Sequence, residues 1–212
     1  RRSDATMWLV DPLEWQHHMA LARALLPELS FSRDGEAALL ASRLGGLSVD
    51  ALAAFDWSRP AVYMPPFRAL VEGASVSVAV EGFTARRLAE AGVRPDVVVT
   101  DLDYEPTSVG LGSVVVVHAH GDNVDLLPLY RPPRRVYTVQ VPPPPGTYNV
   151  GGFTDGDRAA HLAYAMGARE IAISGFYPDV PIKRRDSVKA RKLALAGALL
   201  ARLSRVVPIR FL

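Results

Sequence analysis

The chain has 212 residues, of which 49% are hydrophobic and 22% charged, a balance that excludes a disordered polymer and allows one substantial core with a smaller appendage. A formal net charge of +2 does not mark a nucleic-acid binder, and no apolar run approaches the roughly 18 residues of a membrane span. There is no cysteine, so disulfides, thiolate zinc sites and cysteine nucleophiles are excluded, and a metal would need oxygen or imidazole ligands.

Arg1 to Trp15 carries Asp4, Asp11 and Glu14 and lacks the apolar centre of a signal peptide, which predicts a cytoplasmic protein. Apolar residues at helical spacing predict a helix over Glu14–Leu26, ended by Pro27, and another over Asp34–Leu44, stopped by Gly45-Gly46. Ser48 is placed to cap a third, short helix reaching Phe55. No strand pattern interrupts this stretch, so residues 1–58 are read as an N-terminal helical cap on an α/β domain spanning residues 59–212.

Short β-branched runs follow at Ala61–Met64, Ser75–Val80, Asp96–Thr100, Ser113–His118, Val136–Val141 and Glu170–Ser174, with helical patterns at Thr84–Ala91, Thr154–Met166 and Asp186–Leu203. The runs Val97-Val98-Val99 and Val114 to Val117 are apolar on both faces, as strands covered by helices on either side must be. The alternation predicts an α/β fold with a doubly wound, mostly parallel sheet and helices on both faces. The proline run Pro142 to Pro145 has no amide hydrogens for a ladder and is read as a stiff surface connection.

In such a sheet ligands gather at the carboxyl ends of the strands, and that is where the unexplained polar residues fall. Glu81-Gly82-Phe83, Thr100-Asp101-Leu102-Asp103, His118-Ala119-His120-Gly121-Asp122-Asn123 and Gly151-Gly152-Phe153-Thr154-Asp155-Gly156-Asp157 each follow a predicted strand or open a helix. Asp101 and Asp103 are two apart, hence on one side of an extended segment, and suit a hard cation such as magnesium; turn chemistry is the plainer reading. His118 and His120 fit metal, phosphate or buried polar contacts. Thr154 to Asp157 fits N-capping, while Gly151-Gly152 and a helix N-terminus also fit phosphate approach. Two basic clusters, Arg131 with Arg134 and Arg135, and Lys183 to Lys192, are read either as solvated faces or as polyphosphate contacts, Lys189 and Lys192 sharing a helical face.

In the order and approximate spacing of Val97 to Asp103, Val117 to Asn123 and Gly151 to Ala159, the chain resembles the archaeal 6-hydroxymethyl-7,8-dihydropterin pyrophosphokinase family, with Lys189 to Leu193 as a weaker fourth match. The resemblance implies a fold similar to the thiamin pyrophosphokinase catalytic domain, here residues 59–212. It also implies transfer of diphosphate from ATP to a reduced pterin with release of AMP, in making methanopterin or folate. Its implied metal ligands for magnesium are Asp101 and Asp103 together with Asp155 or Asp157, with Asp101, Asp103 and His120 as catalytic residues. Glu81, His118, Asp122, Asn123, Gly152, Thr154, Lys189 and Lys192 would contact nucleotide or acceptor, Asp122 or Asn123 meeting the pterin or ribose. The partners so implied are small molecules rather than nucleic acid or membrane, and the oligomeric state stays open, a homodimer included. Tyr63 to Arg68, Glu81 to Phe83 and Tyr104 depart from the family pattern and bear on the acceptor; thiamin, or the nucleotide-sugar chemistry of similar-looking glycosyltransferases, are the alternatives.

Overall fold

The computed structural model describes residues 7–177 and 187–212; the predicted contacts at Lys183, Arg184 and Arg185 and the predicted helix start at Asp186 lie outside them. The strands are β1 (Pro60–Tyr63), β2 (Val76–Val80), β3 (Val97–Thr100), β4 (Val114–Ala119), β5 (Arg135–Val139), β6 (Thr147–Tyr148), β7 (Ile171–Ser174) and β8 (Ile209–Phe211). They form one eight-stranded sheet in the order β6-β5-β4-β3-β2-β1-β7-β8, and every pair is parallel. The helices are α1 (Pro12–Leu25), α2 (Asp34–Leu44), α3 (Glu81–Glu90), α4 (Asp155–Ala165) and α5 (Ser187–Leu203).

Strand alternation sorts the core into two layers. Val97 and Val99 of β3 share a cluster with Val114 and Val116, with Ala159, Ala160 and Leu162 of α4, and with Leu200 and Leu203 of α5. Val98, between them, joins Val115, Val117, Ala37, Ala38 and Ala41 of α2, and Ala85 and Leu88 of α3. The sheet is therefore doubly wound, with α4 and α5 on one face and α2 and α3 on the other. Small residues on α2 and α4 let those helices lie close to the valine surface. Outside α5, helix α1 adds its own layer through Ala22 and Leu26 against Leu195 and Leu199.

The first 58 residues thus share cores with the sheet: α2 on one face, Val49, Leu52 and Trp57 on the other. Trp8 forms a parallel bridge to Asn149, tying the start of the described chain to the strand edge. Asp11 caps α1 by accepting from the Leu13 amide at 2.8 Å. The predicted third helix shrinks to a 3₁₀ turn over Val49–Ala51, capped by Ser48 at 3.3 Å from the Asp50 amide. Two strands went unpredicted: β6 and β8 are two and three residues long and lie at the sheet edges, where too few positions exist to show alternation. Helix α3 begins at Glu81 rather than Thr84, directly off β2.

Candidate active site

The carboxyl ends of β1 to β5 and β7 open onto one cavity of about 410 Å³, whose lining includes Met64, Glu81, Asp101, Asp103, His118, His120, Gln140 and Gly175. The strand order reverses beside β1, where the chain runs outward to β6 and then crosses by α4 to β7 on the other side. A crevice at that edge is where this architecture places ligands.

The acidic pair after β3 is held rigidly. The Asp101 amide donates to Asp155 Oδ2 at 2.9 Å, and the Asp101 carbonyl accepts from Asn123 Nδ2 at 2.6 Å. Asp101 Oδ1 in turn accepts from the Asp103 amide at 3.1 Å. Leu102, between the two acids, is 1% exposed and sits at φ 70°; Glu81 (φ 67°) and Glu105 (φ 49°) are also left-handed. Such non-glycine conformations cost about 1–3 kcal/mol each and persist where surroundings over-determine them. Gly82 makes the arrangement feasible, because a Cβ there would lie 1.9 Å from the Glu105 carbonyl oxygen.

Crowding two carboxylates has an electrostatic consequence. Burial pushes Asp103 up to about 7, aided by Asp101 beside it and opposed by His120 and Lys192. Burial also works against ionisation of Asp101, yet hydrogen bonds from His120 and Asp103 hold it well below the usual carboxylate range. Among the described residues, no three or more Asp, Glu or His side chains converge as a self-sufficient metal cage. Magnesium does not need one: it keeps waters and substrate phosphates around one or two protein carboxylates. Two adjacent acids with repelling charges, Asp101 partly buried and Asp103 exposed towards the cavity, fit that demand.

The start of α4 is built differently from the expectation. Asp157, fully buried, accepts from the Phe153 amide at 2.6 Å and from the Thr154 amide at 2.8 Å, and also binds the Thr154 hydroxyl. Its carboxylate is spent on capping, which removes Asp157 from the metal set and leaves Thr154 as its partner at the cavity wall. Asp155 Oδ1 pairs with Arg158 Nη1 at 2.9 Å, both side chains being almost wholly buried. Burial and the Asp101 charge push Asp155 up while Arg158 pulls against them. Asp155 therefore acts first as the clamp on the Asp101 loop. Gly152 does not line the cavity: its amide donates to His18 Nδ1 at 3.1 Å, and a Cβ would strike the Arg158 backbone at 2.6 Å. Its left-handed backbone (φ 72°) serves the close return of the chain onto α4, not a phosphate.

His118 and His120 stack at 5.6 Å between centroids but differ in use. His118 is 1% exposed, with Nε2 at 3.3 Å from Gln140 Oε1 and Nδ1 at 3.1 Å from the Thr138 hydroxyl. Because Gln140 Nε2 donates to Asp34 Oδ2 at 2.8 Å, its carbonyl faces His118, so His118 donates from Nε2 and accepts at Nδ1. Both ring nitrogens are occupied, which corrects the expected phosphate contact to a supporting one. Asn123, 1% exposed, bridges the Asp101 and His118 carbonyls and accepts from the His120 amide, so it cannot face a substrate. His120 stands in the cavity with Nε2 3.6 Å from Asp101 Oδ2, and Asp122, largely exposed, lies 3.9 Å from its Nδ1.

Opposite these groups, Lys189 and Lys192 of α5 line the cavity, half-buried, as does Glu81. Arg191, on another side of α5, pairs with Glu28. The basic cluster at β5 lies at the other end of the strand: Arg135 donates to the Leu44 and Gly45 carbonyls at 2.9 and 2.6 Å, closing the C-terminus of α2, and Arg134 to the Ser113 carbonyl. Phe83 and Tyr104 pack against each other at 5.6 Å, outside the cavity lining. Sequence reasoning missed Asp34, Gln140 and Arg158. Gln140 obeys the strand-end rule but was hidden by the prolines after it; Asp34 passed for an ordinary first-turn acid, although Arg33 is the cap residue and no side chain caps α2.

Three buried histidines make the fold acid-sensitive. Burial lowers His18 to about 4, and holds His118 well below and His161 below the ordinary value. The unfolded chain binds these protons near pH 6.5, so stability is intact above that value and is lost as pH falls towards the folded values. For His18 alone the loss at pH 5 is about 2 kcal/mol. Thermal melts between pH 7 and 5 should show Tm falling on the order of 10 °C; a flat Tm would mean the histidines are protonated in the folded state.

A family model described as 6-hydroxymethylpterin diphosphokinase MptE-like matches residues 73–177, from just before β2 to just past β7. That stretch contains the acid pair, both cavity histidines and the start of α4, but neither Asp34 nor the α5 lysines. A 6-hydroxymethyl-7,8-dihydropterin pyrophosphokinase of Pyrococcus furiosus is 52% identical over 103 residues, 47% of this chain and 44% of that protein. Proteins of the same name from Methanothermobacter thermautotrophicus and Methanocaldococcus jannaschii are 38% identical over 166 residues and 34% over 146. The matched region spans 71% of the Methanothermobacter protein and 61% of the Methanocaldococcus one, so the chain covers less than two thirds of two of these relatives. With 70% of its own length aligned to the Methanothermobacter protein, the chain belongs to the 6-hydroxymethylpterin diphosphokinase MptE-like family.

Proposed function

We propose that the chain transfers the β,γ-diphosphoryl group of ATP to the hydroxymethyl oxygen of 6-hydroxymethyl-7,8-dihydropterin and releases AMP. The observation that carries this reading is the meeting, in one cavity, of an acid pair with two half-buried lysines that can grip a polyphosphate. The names of the relatives support the acceptor. Asp101 and Asp103 would hold magnesium, which supplies neutralisation of the phosphate oxygens. Lys192, close enough to Asp103 to lower its carboxyl, and Lys189 bind the polyphosphate beside that pair. The acceptor oxygen bonds to the β-phosphorus, the bond from that phosphorus to the α–β bridging oxygen breaks, and the electron pair leaves on AMP. His120, next to Asp101, takes the hydroxyl proton. The clamps on the Asp101 loop supply the rest by positioning.

No described helix is long and apolar enough to cross a membrane, and phosphorylated substrates suit the cytoplasm. Phosphorus NMR of a mixture of protein, ATP, magnesium and the dihydropterin tests the reaction. AMP and a pterin diphosphate ester should accumulate one to one. ADP with a monoester, or inorganic diphosphate with no ester, would refute it.

A further inference from the structure

The Asp34 carboxylate is 3% exposed, yet it lines the cavity. It is held at both oxygens: Oδ1 accepts from the Gly121 amide and Oδ2 from Gln140 Nε2, each at 2.8 Å. Among the described residues each oxygen has that one partner, and a carboxylate has about four acceptor positions. Each oxygen thus keeps an acceptor position with no partner among the described residues, on a cavity-lining group whose orientation is locked through Gln140 and His118. A buried carboxylate so arranged calls for two adjacent N–H donors.

The surroundings fit a flat ring. Phe31, three residues before Asp34, and Phe153 stand edge to face at 6.2 Å and line the same cavity. Gln140 follows β5, which lies two places from β3 in the sheet. Two strand spacings are about 10 Å, the reach of a fused two-ring heterocycle with its hydroxymethyl arm towards Asp101. The expected candidates for this edge do not serve: Asn123 is consumed by backbone contacts, and Asp122 is mostly solvated.

We propose that Asp34, locked by Gly121 and Gln140, is the specificity-determining residue that reads the amino and ring N–H edge of the acceptor. The assignment rests on the acceptor proposed above and adds the group that selects it. Its test pairs a change in the ligand with a change in the protein. Two ring probes, 6-hydroxymethylpterin and its 2-oxo counterpart, are titrated by fluorescence in the presence of magnesium and a non-hydrolysable ATP analogue. The 2-oxo ring turns an acceptor towards Asp34, so the wild-type protein should prefer the amino ring by about 100-fold.

In Asp34→Asn the preference should shrink to below about 5-fold, because the amide no longer offers two acceptors. Gln140→Met keeps the carboxylate but unlocks it, and should give an intermediate ratio even if the first variant does not fold. Affinity for the ATP analogue should be unchanged in both. A ratio unaltered by either variant overturns this assignment alone. If the wild-type protein binds the ATP analogue and neither ring, the acceptor reading falls and this assignment with it.

Discussion

Asp101→Asn and Asp103→Asn should each lower turnover by about 10²–10³-fold, Asp103→Asn with Tm nearly unchanged and Asp101→Asn with a modest loss of Tm from the hydrogen bonds its charge accepts. Asparagine keeps the shape and the acceptor oxygen that the Asp103 amide uses, and the Asp101 main chain stays clamped by Asp155 and Asn123. What goes is the negative charge that would hold magnesium; at Asp103 the fold has no use for it, whereas the Asp101 charge also receives hydrogen bonds from His120 and Asp103. Burial pushes Asp103 up to about 7 because that charge is unfavourable there, so its removal does not cost stability. Turnover measured at saturating ATP, beside a thermal melt, separates the two roles. Normal turnover in both variants would send the metal elsewhere; a large fall in Tm for Asp103→Asn would make that acid structural.

The strands were legible because buried parallel strands demand uninterrupted valine runs, as in Val97 to Val99 and Val114 to Val117. Their carboxyl ends were legible for the same reason: once the core is identified, Asp101, Asp103 and His120 stand out as polar residues with nothing to pack against. What could not be read was how each polar group is used. Asp157 and Asp103 look alike in sequence, but one folds back onto the Phe153 and Thr154 amides and the other faces the cavity. Gly152 reads as a phosphate glycine and turns out to accommodate the Arg158 backbone. Asp34 lies 87 residues from Gly121 and 106 from Gln140, and contacts of that range leave no local pattern. The departures at Phe83 and Tyr104 also resolve only in space, where the two rings meet each other.

Acceptor choice is the second large expected effect. A pterin presents a flat ring with adjacent donors, which the Asp34 carboxylate and the Phe31 and Phe153 rings can meet. Thiamin brings a cationic thiazolium and a separate aminopyrimidine, and no single flat surface. Transfer to 6-hydroxymethyl-7,8-dihydropterin should exceed transfer to thiamin by at least about 100-fold in kcat/KM, roughly 2.7 kcal/mol of transition-state discrimination. AMP release with each acceptor, at identical magnesium and ATP, measures this directly. A pterin preference of that size is the predicted result; equal or faster release with thiamin, or no release with the pterin while ATP still binds, would contradict it.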